Sequence, residues 1–360
     1  MAFDAMRQGP EAVRRIARVD SGVGLPNSAG AREDAMTTPF DVTLVDVEAA
    51  AGRIAGLVRR TPSWRSPALS KRLGREVVVK LECLQEGGSF KVRGVTNRLL
   101  MRSHQEMQRG VVAVSGGNHA IAVARGAAAF GVPALVFMPR VTARFNIDAA
   151  AAYGATVELV DTAAEGFARA EQLSREGWIN LHAFDDPLII AGNGTVGLEF
   201  ADAHPEITHL FASVGGGGFI AGIAAAAKGR NPTMSVIGVE TEGAETLTRA
   251  LAAGEPVTIS PTSIARTLGA PFVSARTLAA AQAFLSEVAV VSDAEAVADM
   301  RWLLQTEKVL CEPAAACTVS AAARRASSLS PHAVIGLVLC GSNIALEDVD
   351  ALSARFQRRQ

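Results

Sequence analysis

Short runs of β-branched and other apolar residues alternate with alanine-rich stretches through most of this 360-residue chain. That alternation is its strongest constraint. The runs REVVVKLE (75–82), GVVAVS (110–115), PALVFMP (133–139), ATVELV (155–160), HLFASV (209–214), SVIGVE (235–240) and AVIGLVLC (333–340) read as strands. Between them NHAIAVARGAAAF (118–130), AAEGFARAEQLSREG (163–177) and GFIAGIAAAAKG (218–229) read as helices. Near-continuous apolar strands separated by helices predict parallel sheets covered on both faces, an α/β architecture. The length suits two domains or one large one.

Ligands of such sheets bind beyond the carboxyl ends of the strands, where a loop leads into a helix. Three loops have that character: SGGNH (115–119), VGGGG (214–218) and CGSN (340–343), each following a predicted strand. Gly215, Gly216, Gly217 and Gly218 exceed what a tight turn with positive φ requires. Consecutive glycines let the backbone approach an anion closely, so that several N–H groups converge on it at a helix N-terminus. The stretch is neither a Walker loop, since no GK[ST] follows, nor a dinucleotide fingerprint.

The segment GGSFKVRG (87–94) carries an amine. Val92, Val95 and Leu99 share one face of a predicted helix, and Ser89 is placed to cap it, with Lys91 in the first turn. A lysine there meets an unfavourable helix dipole. If it is desolvated, its neutral, nucleophilic form becomes accessible; a solvated surface lysine is the plain alternative. An anion cradle together with an amine able to form an imine points to a phosphorylated aldehyde, pyridoxal phosphate. Asn118 is placed to donate its amide to a ring hydroxyl, and Cys340 to meet a ring nitrogen. Their plain alternatives are a turn asparagine and a buried thiol.

Composition removes other classes. A formal charge of −1 leaves no footprint for nucleic acid or an anionic membrane surface. The apolar stretches are broken by charges well short of about 18 residues, so no membrane span is expected. Cys83, Cys311, Cys317 and Cys340 form no CxxC pair. They are expected to be buried thiols of a reducing, cytoplasmic compartment. Residues 1–38 hold Arg14, Arg15, Arg18 and Arg32 but no apolar signal core, and are expected to form a disordered leader.

The motifs SFKVRG, SGGNHA, FDDPLIIAGNGT, SVGGGGFIAG, CEPAAA and LCGSNIAL occur in the order found in fold-type II pyridoxal-phosphate enzymes. Over residues 41 to 350 the chain resembles the serine/threonine dehydratases among them. The resemblance implies a tryptophan synthase β-like fold of two doubly wound parallel-sheet domains, with the cofactor in the cleft between them. The large domain would take residues 39–110 plus 190–355, and the small substrate-loop domain 111–189. Lys91 would form the imine and then act as general base, and Phe90 would pack on the cofactor ring. Asn118 would bind the ring hydroxyl, Gly215 to Gly218 the phosphate, and Cys340 the ring nitrogen. Ser115, Gly116, Gly117, Asn118 and His119 would hold the substrate carboxylate.

The activity so implied is β-elimination of L-threonine or L-serine to a 2-oxo acid and ammonia. A thiol at position 340 cannot keep the ring nitrogen protonated, which suits elimination better than transamination. Three readings stand beside it: a dehydratase for a bulkier substrate such as phenylserine or 3-hydroxyaspartate, a serine racemase-like enzyme, and a non-catalytic pyridoxal-phosphate-binding protein. Racemases of the family place a serine two residues before the asparagine, where this chain has Gly116. GVETEGAET (238–246) resembles the family's cation loop, with Glu240, Ala244 and Thr246 as ligands. A hydroxyl in the third place favours a monovalent ion such as potassium. Arg93 is expected to brace the lysine loop, His182 to be a buried polar partner, and Glu312 to stand near the ring behind its direct neighbours. The resemblance also implies a homo-oligomer.

Overall fold

The computed structural model describes residues 40–357, so the expected leader lies outside the described residues. The larger sheet sets β1 (Ser63–Arg65), β2 (Glu76–Lys80), β10 (Val334–Val338), β7 (His209–Ser213), β8 (Ser235–Thr241) and β9 (Glu287–Val291) side by side in that order. All its pairings are parallel except β1 on β2. The smaller sheet runs β5 (Thr156–Val160), β4 (Ala134–Pro139), β3 (Val111–Val114) and β6 (Ile179–Asn180), parallel throughout. Every strand read from the sequence is present. The central strands β10 and β3 are buried at each position, which is why they read as unbroken apolar runs.

β1 and β6 carry no comparable sequence signal, whereas β9 has a short apolar run, EVAVV, that is not among the strands predicted above. The first two span three and two residues and exist only through pairing with β2 and β3. β9 lies at the sheet edge and is only partly covered.

Glycines inside two helices allow unusually close packing. The helices Pro187–Ala203 and Gly218–Arg230 touch backbone to backbone: a Cβ on Gly222 would meet the Ile190 carbonyl at 2.3 Å, and one on Gly197 the Ile223 carbonyl at 2.8 Å. This close approach offsets the helix-propensity cost of glycine, about 1 kcal/mol each, and seats the helix that starts at the tetraglycine loop.

The helix Lys91–Leu100 begins at Lys91, as the periodicity predicts, and buries Val92, Val95 and Leu99 with Val111, Ala113 and Val123 of the smaller sheet's core. The predicted Ser89 cap is absent. Ser89 is extended, and its buried hydroxyl meets no partner among the described residues. The reason is a competing pairing: Ser89 bridges Gly341, Phe90 N–H donates to the Cys340 carbonyl at 3.2 Å, and Ser342 N–H to the Gly88 carbonyl at 2.8 Å. The chain leading to Lys91 is therefore held by the end of β10 rather than by its own helix.

Candidate active site

The loops that follow β3, β7 and β10 meet the Lys91 helix around one cavity of about 620 Å³, a size that suits a small ligand. Phe90, Lys91, Ser115 to His119, Gly215 to Gly218 and Cys340 all line it. Residues far apart in the chain are thus brought together, the arrangement expected at strand carboxyl ends.

Lys91 Nζ donates to the Ala183 carbonyl at 2.8 Å. Burial lowers its ammonium pKa to about 8, so a sizeable neutral fraction exists near neutrality. The Phe90 ring is stacked on Phe219, centroids 3.6 Å apart and planes 15° from parallel.

Three of the four glycines of the tetraglycine loop have no room for a side chain. A Cβ on Gly216 would meet the Phe184 ring at 2.2 Å, one on Gly218 the Phe184 carbonyl at 2.6 Å, and Gly217 has φ of +88°. The N–H groups of Gly215 to Gly218 find no acceptor among the described residues. Four unpaired donors at the start of a helix form a cradle for an anion. The turn after β3 behaves alike: among the described residues the N–H groups of Gly116, Asn118 and His119 have no acceptor, whereas Gly117 N–H reaches Ser115 Oγ at 3.2 Å. Two separate donor sets and one buried amine match a ligand with a phosphate and an aldehyde, together with a substrate carboxylate. The residues present fit pyridoxal phosphate.

Asn118 Nδ2 donates to Glu312 Oε1 at 2.6 Å, and its Oδ1 accepts from Asn343 Nδ2 at 2.6 Å. Cys340 Sγ lies 3.9 Å from Ser213 Oγ and 3.8 Å from the Ala314 carbonyl, and burial raises its pKa well above the usual thiol value, so it is neutral. All four cysteines are free and buried. Burial lowers His119 to about 3; its Nε2–H donates to the Leu181 carbonyl at 2.7 Å, which makes it a wall residue rather than an acid or base. His182 accepts Asp185 N–H at 2.9 Å and braces the FDDP turn.

Glu240 is fully buried, and burial raises it to about 7. Its oxygens accept the N–H groups of Leu247 and Thr248 at 2.7 and 2.9 Å, so it caps the helix Thr246–Ala253. The Thr246 hydroxyl donates to the Ala270 carbonyl at 2.8 Å. Among the described residues no group of three or more His, Cys, Asp or Glu side chains is arranged to hold a metal.

Several cavity residues carry no sequence signal. Thr142, Arg266 and Thr267 line the cavity from loops without glycine runs. Asn146 Nδ2 donates to the Gly116 carbonyl at 2.9 Å and sets the turn after β3. Arg266 Nη1 reaches across to the Val141 carbonyl at 2.5 Å.

A family model described as pyridoxal-phosphate dependent enzyme matches residues 54–341. The L-threonine ammonia-lyase of Thermotoga maritima is 34% identical over 317 residues, which cover 86% of this chain and 78% of that protein. Among solved structures, maize serine racemase aligns with a TM-score of 0.82 at 30% identity, covering 88% of this chain and 98% of its own. The processed form of threonine deaminase isoform 2 from Solanum lycopersicum aligns with a TM-score of 0.81 at 28% identity, covering 92% of this chain and 98% of its own.

Proposed function

The chain belongs to the family of pyridoxal-phosphate-dependent enzymes, and from that membership we propose that it is an ammonia-lyase that eliminates the β-hydroxyl of L-threonine or L-serine, yielding a 2-oxo acid and ammonia. The observation that carries this reading is the buried Lys91 amine, with a pKa of about 8, facing the same cavity as two loops of unpaired N–H donors.

When bound, the cofactor supplies an electron sink that acidifies the hydrogen on the substrate's α-carbon. Lys91 Nζ is its attachment atom and the base that takes the α-proton. The N–H groups of Gly215 to Gly218 hold the phosphate, and those of Gly116, Asn118 and His119 hold the substrate carboxylate. Between them they orient the α-carbon against Nζ. Asn118 would give its remaining N–H to the ring hydroxyl of the bound cofactor. Cys340, a neutral thiol, would face the ring nitrogen without placing a charge on it, and Phe90, backed by Phe219, would pack on the ring.

Gly116 weighs against racemisation. It has no side chain to protonate a second face, and a Cβ there would lie 2.5 Å from Thr142 Oγ1, so a serine would not fit without displacing Thr142. Glu240, Ala244 and Thr246 are the candidate ligands for a monovalent ion such as potassium, and the lyase reading stands with or without it. No helix among the described residues is long and apolar enough to cross a membrane. Four free buried thiols favour a reducing compartment, and we place the enzyme in the cytoplasm.

A panel of L-threonine, L-serine, D-serine, phenylserine and 3-hydroxyaspartate, read by 2-oxo acid and ammonia release, tests the proposal. L-threonine or L-serine is expected to give the highest kcat/KM. Lys91→Ala is expected to lose about 10⁴-fold, the upper end of what a positioned base contributes. D-serine as the main product from L-serine, or turnover that survives Lys91→Ala, would overturn it.

A further inference from the structure

Asn118 is held from both sides. The Gly87 carbonyl can only accept, so it requires the nitrogen of Asn343, whose Nδ2 donates there at 2.8 Å. The same nitrogen faces Asn118 at 2.6 Å and therefore selects its oxygen, which leaves Asn118 Nδ2 turned to Glu312 Oε1, also at 2.6 Å. One of the two Nδ2 hydrogens is taken by Glu312, and the other remains for the cavity that Asn118 lines. Glu312 is itself pinned, since its Oε2 accepts the Thr267 hydroxyl at 3.0 Å. Thr267 sits between the two donor loops: a Cβ on Gly117 would meet its methyl at 3.0 Å, and one on Gly215 its carbonyl at 3.4 Å.

Glu312 is 4% exposed and forms no ion pair among the described residues. The titratable groups that face it are the thiols of Cys311, Cys317 and Cys340, each kept neutral by burial. Of the other titratable groups at the cavity, Lys91, His119 and Arg266 point their nitrogens at the carbonyls of Ala183, Leu181 and Val141, and Arg355 lies over the Phe356 ring at 5.1 Å. A carboxylate so placed can act only through its two neutral donors.

We propose that Glu312, anchored by Thr267, is a positioning residue: in its ionised form it locks the Asn118 amide so that its free N–H is presented to the ring hydroxyl of the bound cofactor. The proposal rests on the pyridoxal-phosphate reading above. Burial raises Glu312 to about 7. Below that pH a proton on Oε1 removes the acceptor that holds Asn118, while a proton on Oε2 turns the Thr267 contact around. Cofactor affinity and turnover therefore weaken on the acid side of neutrality.

The test uses holoenzyme reconstituted with pyridoxal phosphate and reads the visible absorption band against pH, the apparent Kd for the cofactor, and kcat and KM separately. Glu312→Ala is expected to shift the band, raise Kd at least about 10-fold and lower kcat by about 10- to 100-fold, the scale of a misplaced contact. Glu312→Gln resembles the protonated carboxyl, so it is expected to be milder than Glu312→Ala, to hold Kd and kcat across the pH range near the values wild type reaches on the acid side, and to flatten the acid limb. In an Asn118→Ala background, Glu312→Ala is expected to cost less than about 3-fold, because the two act in series. Thr267→Val, a milder change, gives a smaller band shift of the same sign should Glu312→Ala fail to fold. Equal losses from Glu312→Ala with and without Asn118, or a band that none of these variants moves, would sink the role of Glu312 and leave the lyase reading intact. A wild-type protein that takes up no pyridoxal phosphate would sink both.

Discussion

Two buried carboxylate systems lie a short way apart in this fold and are treated oppositely. Behind the Lys91 helix, Arg93 is fully buried and bonds Glu82 at 2.8 Å through Nε and Nη2, and Glu199 at 2.7 and 3.0 Å. Lys80 adds a bond to Glu199 at 2.6 Å. Two cations answer two anions there, and every charged group has a partner. At the cavity Glu312 has neutral partners only, Asn118 and Thr267. Burial opposes ionisation in both places, but Arg93 and Lys80 bring Glu199 below the usual carboxylate range, whereas no cation offsets the rise at Glu312. A closed ion network suits a structural joint. A buried carboxylate without a counter-charge is the arrangement found where a site needs a tuned group.

The sharpest way to break that contrast is Arg93→Met. It strands Glu82 without its cation and leaves Glu199 to Lys80 alone. Loss of one partner of a buried pair costs about 3–5 kcal/mol, a large share of a domain's stability. The expected outcome is a lower urea midpoint with little change in kcat for the fraction that remains folded. Unchanged stability with a collapsed kcat would place Arg93 in the catalytic machinery and erase the distinction.

The two systems also differ in how far they can be read from the chain. The glycine loops and Lys91 were legible because close backbone approach demands a residue type, and a type is visible in sequence. Position 118 was legible for the same reason, since it follows Gly116 and Gly117. The support for Asn118 was legible only in part: the CEPAAA motif set Glu312 near the ring, but not the bonds that tie it to Asn118 and Thr267. Asn118 reaches Glu312 across 194 residues, and Glu312 reaches Thr267 across 45. A threonine in a loop with no periodicity has no local signature. Glu240 is a further case. Its motif suggested a cation ligand, but gave no sign that its oxygens also accept the first N–H groups of the next helix. Ser89 failed as a cap because a contact with Gly341, just past the end of β10 and far away in the chain, outcompeted the local one. Motifs report what the backbone needs nearby. They do not report which distant side chain will complete the shell.

The two systems should respond to pH with opposite sign. The folded-state pKa of Glu312, about 7, lies above the ordinary 4.5, so between these values the folded protein keeps a proton that the unfolded chain has lost. Its contribution is fully present below about pH 4.5 and is lost as pH rises through 7, about 3 kcal/mol in all. Glu240, raised to about 7 as well, adds a slope of the same sign. Glu199 is depressed, so its contribution is present above the ordinary carboxylate value and is lost as pH falls below it. Burial lowers His119 to about 3 and lowers His182 as well, so these add a slope of the opposite sign below about pH 6.5. The test is therefore the difference in urea midpoint, wild type minus variant, of cofactor-free protein. It should fall from pH 5 to 8 for Glu312→Gln and likewise for Glu240→Gln. If Glu312→Gln leaves the slope as in wild type, the carboxylate is not held as its surroundings imply.

The smallest effect separates the two systems most finely, because the same chemical change can be made in each. Thr195 accepts from Arg93 Nη1 at 3.1 Å and donates to the Gly192 carbonyl at 2.6 Å, so it is to the ion network what Thr267 is to Glu312. Thr195→Val removes one hydroxyl, yet Nη1 keeps Glu199. The guanidinium is not stranded, and the cost should stay near the net worth of one hydrogen bond, about 1 kcal/mol. Neither the cofactor band nor its pH dependence should move. Thr267→Val removes an equivalent hydroxyl from a carboxylate that has only one other donor, so a shift of the band is expected there with little loss of stability. Should Thr195→Val move the band as far as Thr267→Val does, strain would be travelling between the two systems through the Lys91 helix, and they would have to be treated as one.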